Sequence, residues 1–542
     1  MKILLCYICP PRERDDYYIS LLPYGLFSIA AYLDSLNKYS ITLANFSKIG
    51  VSKGAVLAVD ESPDIIGVSI FSFNRDISLL LIKKIKQLLP NAKIFIGGHH
   101  ATFLADELLG RCPEIDFIIK GEGEELTAEC IDKLNRGQPI KKIVSGSRIQ
   151  NLDKLPLPSD YKGKLIGVNN NEQQKIIITT RGCPNNCTFC SSPAFWSCRV
   201  AFRSPASVSK EIINIRKRFG IIYFSVRDDN FTVNKKHVLE TSAALAASNL
   251  YMMWNCQARV DTIDIDMLLE MKAAGLEHIQ LGVESGSPAM LAKYNKNITR
   301  EKIVDAAKAA RQAGVYLSIY LMTGMVNETQ QDVEQTVDII EQIKPHDGIV
   351  SPVAYYPGTA LYNEMKAKGK ITDDVWFNTD DNALLAREDK QAKKSMMRLL
   401  TKLENMSERA FYTPSDFEKH RKKDGGLWIT NIMEGDYYFD EGDMSSACNF
   451  YDMVIKEHPE NIWGYMRVGK AQAAMKEYKQ AAATYSKAIE IVPNFFGAYL
   501  KAGETLLHIN KKKEAYGYAQ TALKLNPYDE RVKRLWKKIS FA

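Results

Sequence analysis

No apolar run in this 542-residue chain reaches the roughly 18 residues a membrane-spanning helix needs, so no such helix is expected. Charge of one sign is not in excess. A net charge of +7 is mild for this length; it permits acidic or phosphorylated substrates and argues for no nucleic-acid partner. No signal peptide is expected either: Met1–Tyr7 is too short for its apolar region and reads better as a first strand. Ten cysteines without a secretory signal point to a reducing, cytoplasmic setting. Histidine is absent from the whole stretch before His99. What remains is ordinary for a soluble chain, 46% hydrophobic and 25% charged, and too long for one core.

Against that plain background stands Thr180-Arg181-Gly182-Cys183-Pro184-Asn185-Asn186-Cys187-Thr188-Phe189-Cys190. Its cysteines have C-x3-C-x2-C spacing and follow Lys175–Thr179, an apolar run that reads as a buried strand. A loop at the C-terminal end of a strand is where α/β barrels carry their chemistry. Three thiolates on one short loop can bind three irons of a four-iron cluster and leave the fourth open. Zinc with Cys198 as a fourth ligand is the alternative, and three unrelated buried thiols the plainest one. Cys6 and Cys9, a lone C-x2-C pair, read as strand-end residues.

Before this loop, short apolar strands alternate with helices over residues 1–150, the pattern of a doubly wound parallel sheet. Strands are expected at Ile3–Leu5, Ile41–Ala44, Ile65–Ser69, Lys93–Ile96 and Phe117–Ile119. Their C-terminal ends, where such sheets bind ligands, carry Ser69, Gly97-Gly98-His99-His100 and Gly121-Glu122-Gly123-Glu124. Paired prolines at Leu155-Pro156-Leu157-Pro158 place a linker at 151–172. The alternation resumes over 173–360 as about six βα units, with polar or glycine-rich strand ends. These ends hold Asp228 and Asp229, Arg259, Glu284 and Gly324. Residues 361–427 read as helical and charged. From 428 to 542 a period of 34 appears: Pro459, Pro493 and Pro527; Ala447, Ala481 and Ala515; Gly435, Gly469 and Gly503. That is tetratricopeptide (TPR) spacing, an α-helical solenoid.

The cysteine loop, with the aromatic Phe189 before its last cysteine, resembles the cluster loop of the radical S-adenosylmethionine (SAM) superfamily. The first segment resembles the cobalamin-binding domain that precedes the barrel in one subgroup, through Pro23-Tyr24-Gly25-Leu26, Pro63–Ser69, Gly97–Thr102 and Gly121–Glu124. The resemblance implies three cofactors: a [4Fe-4S] cluster on Cys183, Cys187 and Cys190, SAM, and cobalamin. It assigns the SAM amino group to Asp228 or Asp229, where the family has Gly-Gly-Glu, and the ribose to Glu284 of Leu281-Gly282-Val283-Glu284-Ser285-Gly286-Ser287. Arg259 suits the SAM carboxylate, with a structural salt bridge as the other reading. Gly324 opens Gly324-Met325-Val326-Asn327-Glu328-Thr329, where Val326 replaces the family's proline. Ser69, Gly97, Gly98, His99 and Gly121 are the implied cobalamin contacts. The cobalt-binding histidine of the D-x-H-x-x-G loop is lacking, so the lower cobalt ligand is open.

The expected activity is methylation of an unactivated carbon through a 5′-deoxyadenosyl radical and methylcobalamin. Cyclisation or rearrangement, loss of cobalamin, and a non-catalytic TPR adaptor are the alternatives. A small-molecule or peptide substrate and a flavodoxin or ferredoxin electron donor follow from the same resemblance. The TPR tail implies a protein partner, self-association, or packing against the catalytic half.

Overall fold

The computed structural model describes residues 1–10, 17–378 and 390–540. Seven strands form the first sheet: β1 (Lys2–Tyr7), β2 (Ser40–Asn45), β3 (Ile65–Ser69), β4 (Lys93–Gly97), β5 (Phe117–Lys120), β6 (Ile143–Ser145) and β7 (Lys164–Ile166). The order is β6-β5-β4-β3-β1-β2-β7 and every pairing is parallel. Their apolar residues face both ways into two cores, as a sheet covered by helices on both faces requires. The five expected strands are all present. The two edge strands β6 and β7 were not legible, because three-residue strands have no periodicity to read. One of them, β7, lies in the stretch read as a linker: Lys164–Ile166 pairs with Thr42–Ala44 of β2, so that stretch finishes the first sheet.

β8 (Ile176–Ile177) starts the second layer. A short antiparallel ribbon, β9 (Thr180–Arg181) against β10 (Ala201–Phe202), then brackets the cysteine loop. Five more strands follow: β11 (Tyr223–Val226), β12 (Met253–Arg259), β13 (Leu276–Glu284), β14 (Tyr316–Thr323) and β15 (Asp347–Pro352). With β8 they form one parallel sheet ordered β8-β11-β12-β13-β14-β15, a partial (βα)6 barrel. Helix punctuation is visible in the residues. Ser204, Ser287 and Thr359 cap helix starts with their hydroxyls, and Gly220 and Gly314 end helices in the left-handed region.

Residues 361–427, read as helical and charged, are described apart from 379–389. Leu361 to Trp376 bridges the two halves. It shares a core with the first domain and with Tyr294 and Met325 of the barrel half. The Leu361 N–H donates to the Thr188 carbonyl of the cysteine loop at 2.9 Å, and Arg75 Nε donates to the Trp376 carbonyl at 3.0 Å. The helix Lys390–Ala410 lays Leu399, Leu403 and Met406 on the barrel core. The helix Pro414–Asp424 is tied down by a fully buried Lys272–Asp424 ion pair at 2.9 Å.

Seven helices from Trp428 to Ser540 form the TPR stack. The 34-residue repeat has a steric cause. Ala447, Ala481 and Ala515 are fully buried, and a Cβ on Gly469 would stand 2.7 Å from the Tyr485 ring. The stack docks on the end of the barrel where strands begin. Ile222 and Met253 share a core with Trp428 and Ile462. Asn494 Nδ2 donates to the Lys217 carbonyl at 2.7 Å, and the Tyr251 hydroxyl donates to Glu460 at 3.0 Å. Of the three uses read for the tail, packing against the catalytic half is the one realised within the chain.

Two measurements check this packing. Gly469→Ala is expected to destabilise the stack by about 1–3 kcal/mol through overpacking, lowering its unfolding transition; an unchanged transition would refute the close approach. The second is pH. Burial holds His100, His346 and His420 far below the usual imidazole value, at about 3, 3 and 4. The Leu317 N–H donates to His346 Nδ1 at 3.0 Å, which requires the neutral ring. The unfolded chain therefore binds more protons, and stability is lost as pH falls from about 6.5 toward 4. Asp228, raised to about 6 by burial, and Glu211, Glu277 and Glu328, also raised by burial, oppose this, while His99 and His278, both lowered to about 4, add to it. Thermal midpoints at pH 5 are expected below those at pH 7.5.

Candidate functional site

The cysteine loop sits where two layers meet, and its geometry begins with Gly182. At φ +103° a side chain is strained, and a Cβ would collide with the Arg199 carbonyl at 2.1 Å. Arg181, just before it, is buried and ion-paired to both acids of the Gly-Glu-Gly-Glu loop, Glu122 at 2.7 Å and Glu124 at 2.6 Å. Burial raises the Glu124 carboxyl, but Arg181 and Ser28 more than offset it and hold the group below the usual carboxylate range. Arg148 adds backbone contacts to Arg181 and Trp196. This clamp was not legible: both halves are visible in the sequence, but nothing local pairs them.

Each of the three sulfurs faces a donor. Asn185 Nδ2 lies 3.4 Å from Cys183 Sγ and Arg259 Nη1 lies 3.6 Å from Cys187 Sγ. Beside Cys190 the Ser192 amide and hydroxyl lower its thiol against the effect of burial. Burial pushes Cys187 up, with the Lys296 and Arg259 charges opposing it, and pushes Cys190 to about 11. Neighbouring thiols also feel one another's charge, Cys183 with Cys187 and Cys187 with Cys190. Among the described residues no three His, Cys, Asp or Glu side chains converge as they would around one metal ion. That disfavours the zinc alternative with Cys198, which is exposed. A four-iron cluster takes one thiolate at each of three irons rather than three at one point, and donors to sulfur are its usual surroundings. The residues fit a cluster of that kind.

Both aspartates after β11 brace this loop. Asp228 is buried and accepts from the Thr179 amide at 2.7 Å and from the hydroxyls of Thr179 and Thr180. Asp229 accepts from the Gly182 amide at 3.0 Å and from Ser192. Glu284 closes β13 at φ +66°, a left-handed position that is uncommon for a side-chain residue, beside a register shift against β14. The bulge aims it inward, where it pairs with Lys296 at 2.7 Å. Arg259 makes the structural salt bridge that was its other reading. Asp261 holds Nε and Nη2 at 2.8 and 3.0 Å, and the Lys296 carbonyl takes Nη2 at 2.7 Å. Gly324, at φ +83°, donates to Glu328 of its own loop at 2.8 Å.

Beside the cysteine loop lies a cleft with about 1360 Å³ of empty space, including its open mouth; Thr180 and Arg181 before the loop and Phe195 and Trp196 after it stand on its wall. It brings together Ser69, Gly97, Gly98, His99 and Gly121 from one domain and Asp228 and Asp229 from the other. Arg259, Glu284 and Gly324 are not on its wall. Gly98 needs φ +98°, and a Cβ there would meet the Ile70 carbonyl at 2.7 Å. His99 stacks on Phe195 at 4.1 Å and on Phe71 at 5.6 Å, and burial lowers it to about 4. His100 turns away into the core against Trp376. Phe195, Trp196 and Lys296 are site residues that sequence reasoning missed. Tyr355 is buried in the first domain's core and Tyr356 stacks on Trp376, so both read as packing.

A parallel barrel bearing three thiols after its first strand, faced by a doubly wound domain with a glycine-rich edge, defines a two-domain cofactor enzyme. Comparison with known proteins makes the class specific. The radical SAM superfamily matches residues 177–340, the B12 binding domain residues 18–131, and the tetratricopeptide repeat residues 464–494. The uncharacterized methyltransferase PH0819 of Pyrococcus horikoshii is 29% identical, over 69% of this chain and 85% of that protein. The anaerobic magnesium-protoporphyrin IX monomethyl ester cyclase of Cereibacter sphaeroides is 26% identical, over 58% of this chain and 55% of that protein, less than two-thirds of its length. Among solved structures, the radical SAM methyltransferase TsrM of Kitasatospora setae shares the fold with a TM-score of 0.58 at 17% identity, covering 68% of this chain and 75% of that one. The chain thus carries a radical SAM domain, with a B12-binding domain in front of it and tetratricopeptide helices behind it. No helix among the described residues is long and apolar enough to cross a membrane.

Arg259 provides a test with a readout apart from turnover. Hydrogen bonds and positive charge at a cluster thiolate raise its potential. Arg259→Gln is therefore expected to move the midpoint of the reconstituted cluster to more negative values in an EPR-monitored titration. An unchanged midpoint with weakened SAM binding would return Arg259 to the SAM carboxylate.

Proposed function

We propose that the enzyme is a cobalamin-dependent radical SAM methyltransferase acting on an unactivated carbon. One observation carries the reading: a single cleft is walled by the glycine-rich sheet edge of one domain and, from the other, by Arg181, Phe195 and Asp229, which flank or brace the cysteine loop. When bound, the cluster with SAM supplies a hydrogen-abstracting radical and cobalamin supplies the methyl group. Cys183, Cys187 and Cys190 hold the cluster. Asp229, exposed in the cleft, takes the SAM amino group in preference to Asp228, which is sealed from solvent. Glu284 takes the ribose, exchanging Lys296 for the sugar hydroxyls, and Gly324 gives the backbone room beside it. Ser69, Gly97, Gly98, His99 and Gly121 form the corrin-facing edge, with His99 neutral and packed between rings rather than free to move.

The methyltransferase names of PH0819 and TsrM support this reading over cyclisation. The free thiols suit a reducing cytoplasm, with a flavodoxin or ferredoxin as electron donor. The substrate is a small molecule or peptide that enters the cleft.

Cys187→Ala in anaerobically reconstituted protein is expected to lose the cluster absorbance and all 5′-deoxyadenosine formation. Wild-type turnover by that variant would end the proposal.

A further inference from the structure

A second cavity lies at the end of the barrel away from the cysteine loop. It holds about 540 Å³, a volume in the range of small-molecule sites. Met252 and Ala274, just before β12 and β13, form one side of it, and Trp428 and Met453 of the TPR stack form the other. It shares no lining residue with the cofactor cleft.

Four helices end on this cavity. The residues that close Lys235–Ala247, Ile265–Ala273, Pro414–Asp424 and Met444–Glu457 are Ser248, Ala274, Gly425 and His458, and all four stand on its wall. A single helix start, that of Trp428–Asp440, faces them. Each helix C-terminus carries roughly half a negative charge and favours a cation close by. Formal charge points the same way. Arg421, the one lysine or arginine on the wall among the described residues, is ion-paired with the buried Glu434. Glu457 stands on the wall with no ion-pair partner among the described residues.

Two further features ask for a ligand. Asn431 lines the cavity at 1% exposure, and its Oδ1 accepts from no donor. A buried acceptor of this kind is normally satisfied. Three rings border the same space: Tyr251 meets Trp428 edge-on at 5.9 Å and His458 at 5.0 Å. Tyr251 is held there at φ +48°, a conformation rare for an aromatic residue.

We propose that this cavity binds an organic cation with N–H donors, a primary ammonium or a guanidinium. The donors satisfy Asn431 Oδ1, the aromatic rings attract the charge, and Glu457 with the four helix ends balances it. A quaternary ammonium has the charge but cannot donate to Asn431, so it binds more weakly. The site lies at the barrel base and is independent of the cofactor reading. Its walls come from both barrel and stack, so an occupant bound only by the folded chain raises the thermal midpoint.

The test is equilibrium dialysis of labelled agmatine, which carries both cation types, against the full-length protein. Wild type is expected to retain the probe and to melt at a higher temperature with it. Glu457→Lys, a change at an exposed side chain, is expected to weaken retention at least about tenfold by setting like charge beside the probe. Asn431→Leu is expected to weaken it severalfold, while the midpoint without probe holds or rises because a bare polar group has gone. Choline is expected to compete more weakly than spermidine. Displacement by spermidine marks a free amine as the occupant; displacement by acetyl-Gly-Arg-Gly-amide marks an arginine side chain of a partner. No retention by wild type, equal retention by Glu457→Lys, or equal displacement by the neutral N-butylacetamide overturns the proposal. So does a lowered midpoint with full retention in Asn431→Leu, the result a purely structural asparagine would give.

Discussion

The ion-pair cluster of Arg181 with Glu122 and Glu124 is the constraint on which the catalytic half depends. All three side chains are nearly sealed from solvent. Removing one partner from such a pair leaves an uncompensated buried charge, a loss of about 3–5 kcal/mol. The cluster stands immediately before the cysteine loop and at the ligand edge of the first sheet. It therefore sets the distance between the two places where cofactors bind. The Asp229 bond to the Gly182 amide and the Arg148 contacts extend the same clamp from both sides.

The second sheet separates its labours by strand face. Alternation puts Phe224, Trp254 and Ile279 into a core shared with helices and leaves the lumen lined by groups that hydrogen-bond one another. Stability comes from outside the barrel and chemistry from inside. Glu284 marks the junction: a bulge and a left-handed backbone turn the last residue of β13 inward, and Gly282 leaves room for its pair with Lys296. Strain of this kind is kept where the surrounding structure over-determines it, which is common at functional sites.

The TPR helices use a recognition fold within their own chain. Their contact with the starts of β11, β12 and β14 covers the barrel base, the face associated with stability rather than catalysis. The fully buried Lys272–Asp424 pair fixes the helix that leads into the stack, so the tail is an integral part of the barrel's support.

Periodic and local features were legible in the residues. The five central strands of the first sheet, the six barrel strands, the helix caps and the 34-residue repeat each follow from alternation, turn chemistry or close packing between neighbours in sequence. The thiol spacing was equally plain, because all three cysteines sit on one loop. Edge strands β6 and β7, the docking of residues 361–376 on the first domain, and the pairing of Arg181 with Glu122 and Glu124 were decided only by the tertiary structure. So was the commitment of Arg259 to Asp261 and Cys187. Partners separated by tens of residues leave no periodic trace, and a charged side chain reads the same in sequence whether it awaits a ligand or already holds a neighbour.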